Sequence, residues 1–435
     1  MKVSQHKRTS RGLRFKVVTG AASAALILSF LATVTTTSGA SAKAAKSPIN
    51  VMTIDSATGT SVLDPSIGAT ALVYEKYINA HGGIAGYPLH VTVCDDEGTE
   101  SQAVICAQDA VNAKDVAVVS GFSLNGGDEA IPILQQAHIA WFADPEAAFP
   151  EDGTSPVSFP AYGVLPQNAG QIAIAYQTGC KSVSVLLNGG PSASVLIPDY
   201  QAAAKAYGET LNQIVQVSTT AADYSPYVAQ VLQGGTDCVV TAIGTAQFAS
   251  LLPPWAASGT KAVLYAGGGQ LSPAAAAGYT SVVNGSYNIS ATPDISSKVF
   301  DTYRAALSKY HAPTSSAFNY DGTGTGAWIG YVLFTNIVQT IKGPITNASF
   351  LKAASHAKAV SSDGILPVID FAKPWTSGPA GEERSFNCGI TYQKLENGKW
   401  VQLYNRFQNA NLLTEGTGKL GPQLLPTSTA LACQS

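Results

Sequence analysis

The residues of this chain that could do chemistry are hydroxyls, amides and carboxyls, and most stand just after a predicted strand. Ser56, the run Ser123, Leu124 and Asn125, the pair Ala143 and Asp144, then Asn188, Ser192, Thr245, Gly269 and Gln270 occupy such positions; Tyr162 stands in a segment that would link two halves. Groups of this kind hold a small polar solute by hydrogen bonds, since a buried polar group left unpaired is costly. They do not make a catalytic set. The loop GFSLN lacks the second glycine of a nucleophile elbow, and no histidine stands at a spacing that pairs it with Ser123. Gly322, Gly324 and Gly326 match a phosphate loop only in composition, without its lysine, and Gly267-Gly268-Gly269 is a loop rather than a dinucleotide fingerprint. Plainer roles compete at each position. Ser123 and Asn125 could cap the next helix, Asp144-Pro145 is a common turn pair, Trp141 suits a core, and Tyr162 could pack a hinge. His81 and His138 fit a helix end and a surface turn.

Alternating strands and helices must position these loops. Ile49, Val51 and Ile54 predict a first strand; Val73, Tyr74, Tyr77 and Ile78 recur at helical spacing; Gly82-Gly83 stops that helix; and Leu89, Val91 and Val93 alternate as a second strand ending at Cys94-Asp95-Asp96. That is a βαβ unit. The rhythm continues through a helix over 101–112, a strand over 116–119, a helix over 130–137 and a strand over 139–142. Pro150 to Pro166, rich in Pro, Gly and Ser, reads as a crossing to a second series. That series predicts helices over 167–178, 200–208, 227–233 and 246–257, and strands over 183–187, 214–217, 238–243 and 263–266, with Asn188 to Ser194 as a loop. Further crossings are expected at 287–293 and near 369–374, around helices over 297–310 and 325–342, before closing strands near 390–394 and 400–404. Two parallel-sheet units follow.

The six cysteines, Cys94, Cys106, Cys180, Cys238, Cys388 and Cys433, all lie beyond the first 42 residues. An even count suits disulfides in an oxidising compartment, with about fifteen connectivities open. Cys180 and Cys238 each precede an apolar strand, so adjacent parallel strands would bring them together; Cys94 could reach Cys106 on the following helix, and Cys388 could tie down Cys433. Buried free thiols are the alternative. No CxxC or Cys/His spacing marks a metal site, and no cofactor is expected.

Residues 1–42 carry six of the 25 basic side chains and none of the 28 acidic ones, an apolar run from Val17 to Val34, and Ala40-Ser41-Ala42 at their end. This reads as a cleavable secretory signal, an uncleaved anchor being the alternative, and no cysteine precedes Cys94 to carry a lipid. The remainder has a net charge of −9, which argues against nucleic acid as a partner. At 435 residues with 46% apolar content the chain exceeds one ordinary core.

Four stretches carry a family resemblance. NAHGGIAGYPLHV with the acidic pair after it, SQAVICAQDAV, ADYSPYVAQVL and AFNYDGTGTGAWIGYVLF are together similar to extracellular solute-binding proteins of ABC importers, of the branched-chain amino acid type. The resemblance covers most of the chain past the signal. It implies an α/β fold of two lobes, each a parallel sheet flanked by helices, joined by three hinge crossovers. Lobe 1 would comprise 47–162 and 291–369, and lobe 2 163–290 and 370–435. It further implies a periplasmic or cell-surface monomer that is not an enzyme. Such a protein traps a small polar solute between its lobes and delivers it to a membrane permease. A ligand sensor of the same fold is the nearer rival and a secreted hydrolase the remote one.

Departures bear on the solute. Serine or threonine residues that would help hold a carboxylate are replaced by Ala143-Asp144-Pro145-Glu146, the acidic partner of an ammonium falls near Gly269 or Gln270, and an expected tyrosine-glycine pair is Pro191-Ser192-Ala193-Ser194. The expected solute is thus an amino acid, an amide or a related compound, with a neutral or cationic polar solute, an amide or a small aromatic compound fitting at least as well as a simple zwitterionic amino acid.

Overall fold

The computed structural model describes residues 46–59, 65–123, 125–144, 150–162, 164–218, 220–268, 270–271, 275–310, 322–376, 381–403, 407–410, 430–431 and 433. Of the expectations above, the signal segment, Leu124 and Gly269 lie outside these.

Strand β1 (Ile49–Asp55) is buried along nearly its whole length, as a central strand of a parallel sheet must be. Helix α1 (Ser66–Ala80) leads to β2 (Leu89–Asp95), whose Leu89 and Val91 face in while His90 and Thr92 face out. Between them Gly83 takes φ +72°, and a side chain there would strike the Tyr87 carbonyl at 2.1 Å, so glycine is required on both counts. Helices α2 (Glu100–Ala113) and α3 (Gly127–Gln136) alternate with β3 (Ala117–Val119) and β4 (Ala140–Phe142). The first sheet runs β2-β1-β3-β4-β5, parallel throughout.

The fifth strand departs from the sequence reading. Within the expected crossing Pro150 to Pro166 lie a short helix, α4 (Pro150–Thr154), and β5 (Ser158–Phe159), the edge of the first sheet. Two residues of strand in a proline-rich stretch leave no periodicity to read. The passage to the second lobe thus begins after Phe159 and reaches α5 (Val164–Gln177) at once.

The second lobe holds β6 (Val183–Asn188), α6 (Pro191–Ala206), β7 (Ile214–Val217), α7 (Ser225–Val231), β8 (Cys238–Ala242), α8 (Thr245–Ala257), β9 (Val263–Gly267), α9 (Thr280–Val283) and β10 (Tyr287–Ser290). Two expectations change here. Helix α6 begins at Pro191 rather than Tyr200, so the loop after β6 is only Gly189-Gly190; proline at the first helical position suits it, having no N–H to leave unpaired. Residues 287–290 are a strand rather than a crossing, and the second passage starts at Ala291, whose N–H donates to Gln167 Oε1 at 3.1 Å.

Helices α10 (Asp301–Lys309), α11 (Gly322–Val338) and α12 (Asn347–Ser355) return to the first lobe. A bridge between Val360 and Ile369 keeps the chain there, so the third passage runs later than expected, through Phe386 and Cys388. It enters β11 (Gly389–Glu396), which is antiparallel to β10 and pairs with β12 (Lys399–Gln402) and β13 (Gln408–Asn409). The second sheet runs β12-β11-β10-β9-β8-β6-β7, with β13 on β11.

Each lobe buries its own core. In the first, Phe142 meets Phe350 edge-on at 5.1 Å and packs with Phe159 and Phe371; in the second, Tyr265 stacks on Tyr287 at 4.9 Å. The disulfides are Cys94–Cys106, Cys180–Cys238 and Cys388–Cys433, the neighbour pairing expected from the sequence. No helix of the described residues is long and apolar enough to cross a membrane.

Candidate functional site

The passages fix where the two sheets meet. Phe159 ends β5 and Ser290 ends β10, while Thr391, at the start of β11, pairs with Ser290 and donates to the carbonyls of Ser290 and Thr292. Each parallel sheet is therefore joined to the hinge at its carboxyl edge, the edge at which open α/β sheets bind ligands.

In the first lobe that edge is knitted by carboxylates. Asp96, just past β2, accepts from the Ser56 hydroxyl at 2.7 Å and the Gly98 N–H at 2.8 Å. Asn125 Nδ2 donates to the Gly98 carbonyl at 2.9 Å, so the loop after β3 is tied to the loop after β2. Asp95 accepts from the Ala57 and Thr58 amides and the Thr58 hydroxyl, which shapes the loop after β1. Asp55 accepts from the Gly68 N–H at the start of α1, and a side chain on Gly68 would come within 2.4 Å of that carboxylate. Ser56 and Ser123 are fully buried.

The balance of burial against these ties moves the two carboxyl groups in opposite directions. Burial raises Asp96, against the hydroxyls of Ser123 and Ser56 and the Gly98 amide that lower it, and burial wins. At Asp95 the smaller burial is outweighed by the Thr58 hydroxyl and the amides of Glu97, Thr58 and Ala57, and its carboxyl is held low.

The predicted residues after β4 turn elsewhere. Ala143 is buried with φ +52°, and its N–H donates to the Phe159 carbonyl. Asp144 is also buried: Oδ2 accepts from the Trp141 indole at 3.1 Å, and burial pushes its carboxyl up to about 7 although Trp141 and Asp152 bond to it. Its carboxyl is engaged with lobe-one side chains, as is Trp141 in the core. Tyr162 belongs to the first-lobe core cluster.

In the second lobe the ties are amides. Gln247, in the first turn of α8, accepts from the Gly244 N–H at 2.7 Å and donates to Asn188 Oδ1 at 2.7 Å, and the Tyr224 hydroxyl bonds to it as well. Gln270 accepts from the Gly267 N–H. Beneath them Gln171 donates to the Thr241 carbonyl at 3.0 Å, and Tyr200 donates to Asn168. Ser192 and Thr245 sit in the first turns of α6 and α8.

The structure thus joins Ser56, Ser123 and Asn125 around Asp96, and Asn188 to the start of α8; Gln270 braces the loop after β9. Sequence reasoning missed Gln247 and Tyr224. Gln247 had a signal, a glutamine three residues past Gly244 at a helix start, the spacing at which a side chain reaches back to the cap N–H.

Two parallel-sheet lobes hinged at their carboxyl edges, with polar loops there, define a binding protein of the periplasmic type. Residues 48–377 match the profile of the periplasmic binding protein family, and the chain belongs to that family. Its fold is similar to a possible leucine/isoleucine/valine-binding protein from Rhodopirellula baltica SH 1 (TM-score 0.70, 13% identity, covering 83% of this chain and 97% of that one). A solute binding protein of an ABC transporter from Rhodopseudomonas palustris HaA2, in complex with p-hydroxybenzoic acid, is comparable (TM-score 0.69, 16% identity, 84% and 98%). So is a substrate-binding periplasmic protein from Ralstonia solanacearum (TM-score 0.68, 16% identity, 81% and 99%). No curated protein matches the sequence.

Proposed function

We propose that this chain is the extracytoplasmic solute-binding component of an ABC importer: it takes a small polar solute between its lobes, closes, and presents the closed form to a membrane permease. The observation that carries this reading is the attachment of both sheets to one hinge at their carboxyl edges, with the polar loops gathered there. Lobe 1 would comprise 47–162 and 291 to Phe386, lobe 2 163–290 and the strands from Gly389 onward, with Phe407 and Leu431 reaching back into the first-lobe core, and residues 1–42 would be removed on export. Binding, not covalent chemistry, is the activity. Closure trades the open form for a closed one that the solute contacts on both sides, and the shift can be no larger than the difference in affinity.

The solute we favour is neutral or cationic. Carboxylates dominate the ties of the first-lobe edge, and a solute carboxylate would meet Asp55, Asp95 and Asp96. Amides such as Asn188 in the second lobe pair with neutral polar groups. A thermal-shift screen over amides, amines, amino acids, polyols and aromatic acids, p-hydroxybenzoic acid included, tests it, since a solute at a hundred times its Kd adds about 2.7 kcal/mol. A hit should also compact the protein in small-angle scattering. A saturating hit that leaves the scattering unchanged removes the closure mechanism, and capture of a kinase instead of a permease by the loaded form favours sensing.

A further inference from the structure

Beyond β12, residues 407–410, Leu431 and Cys433 hold one point of the hinge. Cys388 is the last residue of the third passage before β11, and all of its bonding groups are held from the carboxyl-terminal end of the chain. Its N–H donates to the Leu431 carbonyl at 2.8 Å, its carbonyl accepts from the Ala410 N–H at 2.8 Å, and its sulfur is bonded to Cys433. The neighbouring Asn387 ties the same point to the first passage, donating from Nδ2 to the Ala161 carbonyl at 3.3 Å while its Oδ1 accepts from the Gly389 N–H.

The described residues of this end of the chain reach both lobes. Phe407 and Leu431 are buried in the first-lobe core with Phe371 and Phe386, whereas Ala410, three residues after Phe407, is buried in the second-lobe core with Ile390. Between them Gln408 and Asn409 pair with Ile390 and Gly389, the first residues of β11. Both cysteines of the bond are 1% exposed, so the splint lies inside the hinge rather than on its surface.

Hinge motion is absorbed by backbone rotation at a few residues, and a residue whose N–H, carbonyl and side chain are all fixed cannot rotate freely. We propose that the carboxyl-terminal tail is a fourth strap across the hinge and that the Cys388–Cys433 disulfide limits how far the two lobes can swing apart. This rests on the closure reading above, but it concerns the range of opening and needs no solute to be tested.

The test is hydrogen exchange with scattering on the solute-free full chain, comparing the parent with Cys388→Ala/Cys433→Ala. The strap predicts exchange faster by about tenfold at the hinge amides of Ala161, Ala291 and Phe386 to Ile390, a larger radius of gyration, and unchanged exchange in β1, β3, β6 and β8. Faster exchange confined to 407–410 and 430–433, with the hinge amides and radius unchanged, would overturn it and leave the bond as a simple staple of the tail. If the double variant does not fold, parent protein partly reduced with dithiothreitol, alkylated, and sorted to molecules that have lost only this bond carries the same comparison. A looser hinge in a protein that no solute closes would sustain the strap and sink the importer reading, so the two failures are separable.

Discussion

The carboxyl edge of the first sheet is held by carboxylates, and that of the second by amides. Asp55, Asp95, Asp96 and Asp144 bind amides, hydroxyls and an indole around β1 to β4. Asn168, Gln171, Asn188, Gln247 and Gln270 do the equivalent work around β6 to β9. A carboxylate accepts several hydrogen bonds more strongly than an amide does, but its charge makes the geometry depend on pH. An amide supplies a donor and an acceptor together at any pH. The carboxyl edge of the first sheet is thus expected to respond to acid and base, and that of the second to keep its shape.

The largest effects test whether the lobes also differ in how they are stapled. Cys180–Cys238 closes 58 residues between adjacent strands of the second lobe, and Cys94–Cys106 closes 12 in the first. Loop-closure entropy assigns about 4 kcal/mol to the former and about 3 to the latter. Replacing each pair with alanines and following urea unfolding with lobe-specific probes should lower the second lobe more; equal losses would mean that loop length does not set the difference.

Gly330 on α11 marks a close approach that no local sequence pattern signals. A side chain there would come within 2.1 Å of Ser120 Oγ and 2.8 Å of the Ala143 carbonyl, at the ends of β3 and β4. Ser120 and Ala143 both adopt positive φ, so neither backbone can easily withdraw. Gly330→Ala should cost about 1 to 3 kcal/mol, all of it in the first lobe. A loss shared by both lobes would show that they unfold as one unit.

The pH response tests the buried carboxyl at the end of β4 in the first lobe. Asp144 has its carboxyl raised from the ordinary 3.8 to about 7 by burial, so between those values the folded first lobe keeps a proton that the unfolded chain releases. Stability from this group is full below 3.8 and declines as pH rises, by up to roughly 1.4 kcal/mol per pH unit, until it levels above about 7. Asp144→Asn should flatten that slope and leave the variant more stable than the parent at pH 8. A slope unchanged in the variant would assign the titration to another buried carboxyl, Asp115 or Asp199, which burial lifts to about 6 and about 8.

Much of this architecture was legible because burial writes itself into long periodic stretches. The β1–α1–β2 unit and the strands β6 and β8 could be read from apolar runs bounded by glycine and polar loops, and that placement also paired the cysteines. Short or polar pieces were not legible: β5 has two residues, β10 reads Tyr-Asn-Ile-Ser, and α12 follows Thr346, whose capping of Ser349 is a local signal without an apolar stripe to support it. Of the candidate residues, Ser56, Ser123 and Asn188 could be placed at the carboxyl edge from position alone, since strand ends converge. Gln247 lies in the first turn of α8 and Tyr224 just before α7, where no rule of strand ends applies, and the engagement of Asp144 with Trp141 depends on side-chain directions that sequence spacing leaves open.

The smallest effects concern one hydrogen bond in each lobe, each donated by a side-chain amide, and they sharpen the contrast. Asn125 donates to a backbone carbonyl, Gly98, whose own N–H is held by Asp96. Gln247 donates to a side-chain amide, Asn188, while accepting from Gly244. Each truncation to alanine should cost about 1 kcal/mol of stability near neutral pH. In acid they should diverge: once Asp96 is protonated it accepts less strongly from Gly98 and Ser56, the loop that Asn125 braces is already loosened, and Asn125→Ala should cost less at pH 4 than at pH 7. Among the bonded partners of Gln247 the titratable one is the Tyr224 hydroxyl, which burial raises further above the ordinary tyrosine value, so the cost of Gln247→Ala should be the same at both. Denaturant unfolding of the two variants at the two pH values decides it, and a parallel fall in both costs would mean that the division into a charged lobe and a neutral lobe does not govern how these loops are held.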